Sequence, residues 1–452
     1  MKKHTYESRR FSHILPVTKF FLAGLLFITP LFSYSQDFDV GVNVHLRYYP
    51  KSASDYLKLI KDAGFTSYRA EYPWSLAESK SGGFGVAERL KKEDYSYQNG
   101  KSKYNLNALM ILGSWNAGYT EVGGYPRTQE AIDAYVNYAT WTASRFKGKV
   151  KYYEIWNEWI VGTGIHNKER PPSPDFYLEL VKRTSAAIKK VDPNAIVMAG
   201  SFNPLAPAHL KWFERLMEKG ILDSLDGISL HPYSYKNNDM ALRNPEDNLA
   251  AIDLFEAKVK KYSHREIPIY ITEIGVPTYD GEGGVSDDEA AQYIIKYTLL
   301  SKARSYIKGI WWYDLIDDGD NPKRNEHRFG FFNRKEKPKS AAVAYEKIAD
   351  VVKSYTVNDY RTTPAGVISI SLTNSSNKHA MLYWKKTPVA KNKTELSDFS
   401  FVTNRNVSKE NSPKKVEYFS EHSGNELLLK GGVPILVRSD KKINPSNIKS
   451  EQ

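Results

Sequence analysis

The chain has no cysteine among its 452 residues. This absence excludes disulfide frameworks, thiolate zinc sites, iron–sulfur clusters and cysteine nucleophiles. Two common catalytic signatures are missing as well. No Gly-x-Ser-x-Gly segment marks a nucleophilic serine, and no GxxxxGK[ST] segment marks a phosphate-binding loop. The composition is otherwise that of a folded protein, with 41% hydrophobic and 26% charged residues.

The main body of the chain has almost no net charge, although the whole sequence carries +12. The excess is at the two ends. Residues 1–35 have five basic residues and one acidic residue, and residues 351–452 have 16 and 9. The remaining segment, 36–350, has 43 basic and 42 acidic residues. A nucleic-acid partner is therefore not expected, because no basic surface is available to follow a phosphate backbone.

The first 35 residues have the pattern of a secretory signal peptide. A basic start is followed by an apolar run over 20–32 and by small residues at Ser33 and Ser35, so we expect the mature chain to begin at Gln36. The alternative is a membrane anchor, but the run is shorter than the ~18–20 apolar residues a span needs. The sequence predicts export to the periplasm or the medium, with no later membrane span.

Eight short runs rich in β-branched and aromatic residues alternate with helical patterns, which predicts parallel strands joined by crossovers. We expect a (β/α)8 TIM barrel over 36–350. Two packed α/β domains would fit the same alternation. The strand runs are 39–46, 67–74, 108–115, 152–159, 195–201, 226–233, 268–275 and 309–315, and the helical patterns are 53–63, 128–146, 174–191, 206–219, 248–262, 287–304 and 340–355.

After residue 355 the helical periodicity stops. Short strand patterns at 367–373, 380–384, 426–429 and 433–438 are separated by turns rich in Asn, Ser and Lys. We expect a small C-terminal antiparallel β-sandwich-like domain over 351–440 and a polar tail over 441–452.

Two glutamates occupy matching positions at the ends of predicted strands. Glu158 follows Asn157 at the end of the fourth strand, and Glu273 ends the seventh, 115 residues later. In a parallel barrel the C-terminal strand ends face one pocket, so the two side chains should approach each other there. A salt bridge could explain either one alone. A pair of carboxylates suits glycosidic bond cleavage, in which one carboxyl is kept protonated by its surroundings and the other attacks as an anion.

Other residues near strand ends fit the same pocket. Arg69 could hold a carboxylate ionised, and His231 and Tyr233 could orient Glu273. Indole rings pack well on apolar sugar faces, although each could equally be core. The further candidates for contact with a substrate are His45, Trp115, Trp159 and Trp312.

Metal or cofactor chemistry is not expected. His45 and His231 lack a carboxylate at ligand spacing, and the acidic run 317–321 lacks the spacing and closing glutamate of a calcium loop. No strand ends in lysine, which argues against a Schiff-base enzyme.

Several motifs carry a resemblance to a known group of enzymes. YYEIWNEW at 152–159, LHPY at 230–233 and YITEIG at 270–275 resemble clan A retaining glycoside hydrolases. GVNVH at 41–45, RFKGKVKYYEIWNE at 145–158 and the segment 317–342 are most similar to family 39, in its bacterial exopolysaccharide-processing endoglycosidase branch.

The resemblance implies that Glu158 is the acid/base, that Glu273 is the nucleophile and that Asn157 contacts the sugar 2-hydroxyl. Two departures are Trp159, where many relatives have proline, and an insertion around 79–104.

The sequence thus predicts an exported retaining glycosidase acting on β-linked polysaccharides or oligosaccharides, without a cofactor. Long connections at 75–107, 116–127, 160–173 and 316–330 favour endo action, although they could also close one end and give exo action. A catalytically inactive carbohydrate-binding barrel is an alternative, as is a structural cell-surface protein whose basic C-terminal domain binds anionic glycans. The sequence does not determine the oligomeric state.

Overall fold

The computed structural model describes residues 38–386 except 80–82, 114, 122 and 166–169, together with 427–429, 432–440, 442 and 448–450. The proposed signal peptide, residues 1–35, lies outside this part. Eight parallel strands form a closed barrel in sequence order, which confirms the predicted TIM barrel. The strands are β1 (Asp39–Asn43), β2 (Ser67–Tyr72), β3 (Asn107–Leu112), β4 (Tyr152–Ile155), β5 (Ile196–Phe202), β6 (Gly227–Leu230), β7 (Ile269–Ile274) and β8 (Ile307–Trp312).

Helices surround the barrel and bury one apolar face each against it. They are α1 (Ala53–Asp62), α2 (Trp74–Ala77), α3 (Lys91–Tyr104), α4 (Gln129–Arg145), α5 (Pro174–Val191), α6 (Pro207–Glu218), α7 (Pro245–Val259), α8 (Asp287–Lys302) and α9 (Ser340–Ser354). Capping boxes begin α1 at Ser52 and α8 at Ser286. Helix α3 occupies most of the insertion around 79–104, where no helix was predicted. None of the helices in the described residues is long and apolar enough to cross a membrane.

The lower part of the barrel interior is filled by large side chains. Tyr152, Tyr270 and Trp311 pack together there, and the Tyr152 hydroxyl donates to Asp39 Oδ2 over 2.6 Å. Gly41 makes room for the indole, because a Cβ at this position would lie 2.2 Å from Trp311 Cδ1. This packed floor closes the barrel below and leaves only its C-terminal end open to a ligand.

The C-terminal part of the described chain is a four-stranded antiparallel sheet in the order β13-β11-β10-β9. The strand that comes first along the chain, β9, was not predicted. A second, two-stranded sheet pairs β12 with β14. The four-stranded sheet confirms the predicted small antiparallel β-domain after the barrel, and β14 falls within the predicted polar tail. The strands are β9 (Tyr355–Thr362), β10 (Val367–Asn374), β11 (His379–Lys385), β12 (Leu427–Leu429), β13 (Ile435–Ser439) and β14 (Ile448–Ser450).

Candidate active site

A cavity of about 500 Å³ opens at the C-terminal end of the barrel. Strand ends and the loops after them contribute its walls. It brings together most of the residues that the sequence singled out, as well as several that it did not. The lining residues are Asn43, Val44, His45, Arg47, Tyr48, Arg69, Ala70, Glu71, Ile111, Asn157, Glu158, Thr163, Tyr233, Tyr235, Glu273, Tyr313, Glu326 and Phe329.

The turn that follows β4 places Glu158 at this cavity. The strand ends at Ile155, earlier than predicted, and Trp156 and Glu158 both take positive φ angles of 64° and 48°. Non-glycine residues seldom adopt this backbone conformation, which costs of order 1–3 kcal/mol and recurs at functional sites. The buried indoles of Trp156 and Trp159 hold the turn in place by packing on each other and on Tyr125.

Glu158 is paired with the imidazole of His231. Its Oε1 lies 3.0 Å from His231 Nδ1, and Thr163 Oγ1 donates to its Oε2. Burial alone would raise the pKa of Glu158, but the hydrogen bond and charge of His231 outweigh it, so the pKa lies below its usual range. This differs from the expectation that the surroundings of the acid keep it protonated.

Glu273 has a different set of hydrogen-bond donors. Arg69 Nη1 donates to its Oε2 over 2.8 Å, and the Tyr233 hydroxyl donates to its Oε1 over 2.9 Å. Donors on both oxygens fix the orientation of this carboxyl group. The side chain remains 14% exposed, so it can meet a ligand in the cavity.

Arg69 binds several side chains of the site at once. Its guanidinium lies inside the barrel and the residue is 2% exposed. Its Nε donates to Glu154 Oε2 over 2.7 Å, Nη1 donates to Asn43 Oδ1 over 2.6 Å, and Nη2 donates to Asn157 Oδ1 over 2.7 Å. Burial lowers the pKa of Arg69, but its attraction to Glu154 and Glu273 is stronger, so the pKa is raised overall. One fixed cation thereby positions Glu273 and Asn157 together.

Glu158 and Glu273 face each other across a short gap. A carboxylate oxygen of Glu158 and one of Glu273 lie within 4.8 Å of each other. Retaining glycosidases have carboxyl groups about 5–5.5 Å apart, whereas inverting ones need about 6.5–9.5 Å for an intervening water. The arrangement can therefore act on both sides of one bond.

Comparison with protein families gives a match to the glycosyl hydrolase family 5 model, described as cellulase, over residues 34–314. This is more than half of the chain. The chain belongs to this family. It is accordingly a glycoside hydrolase, and the motif resemblance to clan A is confirmed. A comparison with curated proteins gives no match.

Solved structures share the fold of this glycoside hydrolase at low sequence identity. A family 39 glycoside hydrolase from Bacteroides cellulosilyticus WH2 is 23% identical over 77% of this chain and 70% of its own, with a TM-score of 0.63. A glucosidase from Croceicoccus marinus is 15% identical over 77% and 75%, with a TM-score of 0.57. A GH5_18 protein from Streptomyces cattleya, solved with GlcNAc, is 14% identical over 74% and 83%, with a TM-score of 0.55.

Three predicted substrate-contacting tryptophans do not line the cavity. Trp159 is fully buried beneath the turn after β4, and Trp312 is 1% exposed and packs against Tyr293 and Tyr297. Trp115 is half-buried outside the cavity wall. The expectation of sugar contact is therefore corrected for Trp159 and Trp312, which are parts of the core. His45 does reach the cavity, as predicted.

Other aromatic residues take the place of those tryptophans. Tyr48 is 69% exposed at the cavity wall, and Tyr235, Tyr313 and Phe329 also line the cavity. Tyr313 lies in the predicted strand run 309–315 but was not singled out, and the other three lie outside the predicted strands. Glu154 was also missed, although it had a signal, since it is a charged residue inside an apolar strand.

Two groups of side chains in the described part of this hydrolase have the composition of metal ligands, although no metal was expected. Glu158, His231 and Glu273 form the first group, and their contacts to one another, Arg69 and Tyr233 account for their charges. His45, Asp314 and Asp318 form the second group, beside the cavity.

Proposed function

We propose that this glycoside hydrolase cleaves β-glycosidic bonds of a polysaccharide or oligosaccharide with retention of anomeric configuration. Glu273 acts as the nucleophile and Glu158 as the acid/base. The observation that carries this proposal is the short separation of two carboxylates that have different hydrogen-bond donors. The β linkage is supported by the family model, which is described as cellulase.

In the first step, Glu273 attacks the anomeric carbon while Glu158 gives a proton to the departing glycosidic oxygen, which leaves a glycosyl ester on Glu273. Arg69 and Tyr233 hold the attacking carboxyl group in its orientation. In the second step, Glu158 takes a proton from water, and the resulting hydroxide releases the sugar. Esterification removes the negative charge of Glu273, which lowers the pKa of its neighbour Glu158 and suits it to act as a base.

Asn157 is oriented for the 2-hydroxyl of the sugar bound at the reacting position. Its Oδ1 accepts from Arg69 Nη2 over 2.7 Å, so its Nδ2 is left to donate. The residue lines the cavity next to Glu158. This contact would strengthen as charge develops on the sugar in the transition state.

The enzyme-bound intermediate can be tested directly. A 2-deoxy-2-fluoro β-glycoside with a dinitrophenol leaving group should label the wild-type protein once, and peptide mass spectrometry should place the label on Glu273. The matched variants are Glu158→Gln and Glu273→Gln, which make the same change of charge. Glu158→Gln should still be labelled, because this leaving group needs no proton, and azide should restore its turnover. Labelling of Glu273→Gln, or an inverted product by NMR, would contradict the assignment.

We further propose endo action. The cavity of about 500 Å³ is lined by residues that do not neighbour the two carboxylates in sequence, among them Tyr48, Glu71 and Phe329. A cavity with such additional lining suits a chain that continues past the cleaved bond. Early products from a polysaccharide should be a mixture of oligosaccharides, and release of only monosaccharide would exclude endo action.

Export is also a proposal, and it rests on the basic start and apolar run of residues 1–35. Expression of the full chain should give a periplasmic or extracellular protein whose N-terminal residue is Gln36. An unprocessed, membrane-bound protein would contradict it.

A further inference from the structure

The second group of metal-type ligands lies where the loops after β1 and β8 meet. Asp314 follows β8 and is 1% exposed, whereas His45 and Asp318 are each 34% exposed. Asp314 Oδ2 and Asp318 Oδ2 each lie 4.0 Å from His45 Nε2. All three ligand atoms lie within 4.8 Å of one another.

The buried atoms of this group have no hydrogen-bond partners among the described residues. Both carboxylate oxygens of Asp314 and the Nε2 of His45 are enclosed without a donor or acceptor within reach. A buried carboxylate is usually paired or fully hydrogen-bonded, because desolvation of an isolated charge is costly. Arg69 compensates Glu154 and Glu273 in this way, and Lys339 compensates Asp317 over 2.9 Å. Asp314 has no such cation.

We propose that His45, Asp314 and Asp318 form a binding site for one divalent transition-metal cation. Two atoms on one ion are separated by at most twice the bond length, which is about 4.0–4.4 Å for zinc and about 4.6–5.2 Å for calcium. The 4.0 Å separations are below this limit, and the side chains would close by roughly half an ångström to reach the ~3.3–3.4 Å between ligand atoms on a tetrahedral zinc.

The donor set selects the class of ion. Imidazole nitrogen with carboxylate oxygen suits zinc or manganese, whereas calcium takes oxygen ligands. The partial exposure of His45 and Asp318 leaves room for water to complete the coordination.

His45 also lines the cavity of the reaction proposed above, so the test measures metal binding and not turnover. The full chain, treated with EDTA and dialysed at pH 7.5, is titrated calorimetrically with ZnCl₂, MnCl₂ and CaCl₂, and its melting temperature is recorded with each salt. We expect one zinc or manganese ion per chain and a melting temperature that rises by several degrees.

Asp314→Asn and His45→Gln should each weaken this binding at least tenfold. Asp314→Asn should also raise the melting temperature of the metal-free protein, because it removes a buried charge. The matched control is Asp320→Asn in the same loop, whose carboxylate is 85% exposed and outside the group, and it should bind the ion as the wild type does.

Three results would overturn the proposal: no uptake of zinc or manganese, uptake that both ligand variants leave unchanged, or uptake of calcium alone. A failure to bind any ion, together with a stabilising effect of Asp314→Asn, would show that a proton neutralises Asp314 instead. If Asp314→Asn does not fold, His45→Gln and Asp318→Asn decide the question by the same titration.

Discussion

His231 and Glu158 are in direct hydrogen-bond contact, with Nδ1 3.0 Å from Oε1. The Thr272 hydroxyl donates to Glu154 Oε1 over 2.8 Å, so its oxygen is left to accept from His231 Nε2 at 3.1 Å. Arg69 Nη2 approaches the same nitrogen only to 3.4 Å. If Nε2 carries a proton, the 3.0 Å hydrogen bond between Nδ1 and Glu158 requires a second proton. That proton is bound either to the imidazole or to the carboxyl group.

This hydrogen bond connects the lowered pKa of Glu158 with its proposed role as an acid, because the proton that Glu158 would donate belongs to the same contact. His231 is a positioning residue in this account, because it acts on the substrate through Glu158.

The first prediction concerns the pH dependence of turnover. Because His231 lowers the pKa of Glu158, replacing it by alanine should raise that pKa. The protonated acid then survives to higher pH, so the alkaline limb of kcat/KM should move to higher pH. The profile is measured with an aryl β-glycoside whose leaving group needs protonation.

His231→Asn is the comparison, since its amide can keep a hydrogen bond to Glu158 but cannot carry the charge. It should give a smaller shift than His231→Ala. An alkaline limb that stays in place in both variants, or moves to lower pH, would contradict the lowering of the Glu158 pKa by His231.

The second prediction concerns the buried pair of Arg69 and Glu154. Glu154→Gln leaves the guanidinium with one carboxylate fewer inside the barrel, which should cost about 3–5 kcal/mol of unfolding free energy.

Burial raises the pKa of Glu154, but Arg69 outweighs it and the net pKa is lowered. The ionised Glu154 therefore stabilises the folded state fully above about pH 4.3, the pKa of a glutamate in the unfolded chain. This stabilisation is lost as the pH falls through the lower pKa that Glu154 has in the folded state. Urea unfolding between pH 7 and 3 should show a shallower acid loss in Glu154→Gln than in the wild type. Equal slopes would contradict this account.

The third prediction concerns a buried lysine at the end of α8. Lys302 is 1% exposed, and burial lowers its pKa to about 8. Burial of the charged Lys302 destabilises the folded state. This destabilisation is complete below pH 8, where the lysine is charged in both states, and it disappears as the pH rises to about 10.4, the pKa of lysine in the unfolded chain. Lys302→Met should raise the unfolding free energy at pH 7 by up to about 3 kcal/mol and remove the gain between pH 8 and 10. The exposed Lys353→Met on α9 should change neither quantity, and a Lys302→Met protein less stable than the wild type would refute the argument.

Sequence periodicity was sufficient for the barrel because eight apolar runs at a regular spacing leave few other ways to bury their faces. The same rule located Glu158 and Glu273, since a charged residue at the end of a buried strand needs a partner or a function. It applied equally to Glu154 within β4, where the alternation of strand residues points every second side chain into the barrel.

The positions of Trp159 and Trp312 could not be derived in that way. The chain leaves strand geometry at Trp156, where the positive φ reverses the direction in which the following side chains point. Alternation therefore stops predicting which residues reach the cavity. Trp312 still lies on β8, but its indole packs on the helix side of the sheet, and strand ends alone do not distinguish the two sides.

The last prediction concerns Tyr48. Among the described aromatic residues that line the cavity, it is the most exposed, at 69%. Leaving so large an apolar ring in water has no folding benefit, but it offers a platform for a sugar unit beyond the cleaved bond. Tyr48→Ala should raise KM for oligosaccharides by about tenfold, which corresponds to about 1.4 kcal/mol, and leave kcat/KM for a small aryl glycoside unchanged. The matched variant is Tyr360→Ala on β9, a tyrosine 38% exposed outside the cavity, which should affect neither substrate. An equal loss on both substrates in Tyr48→Ala would place this ring at the reacting sugar, and no loss on either would show that the bound chain passes along the other wall.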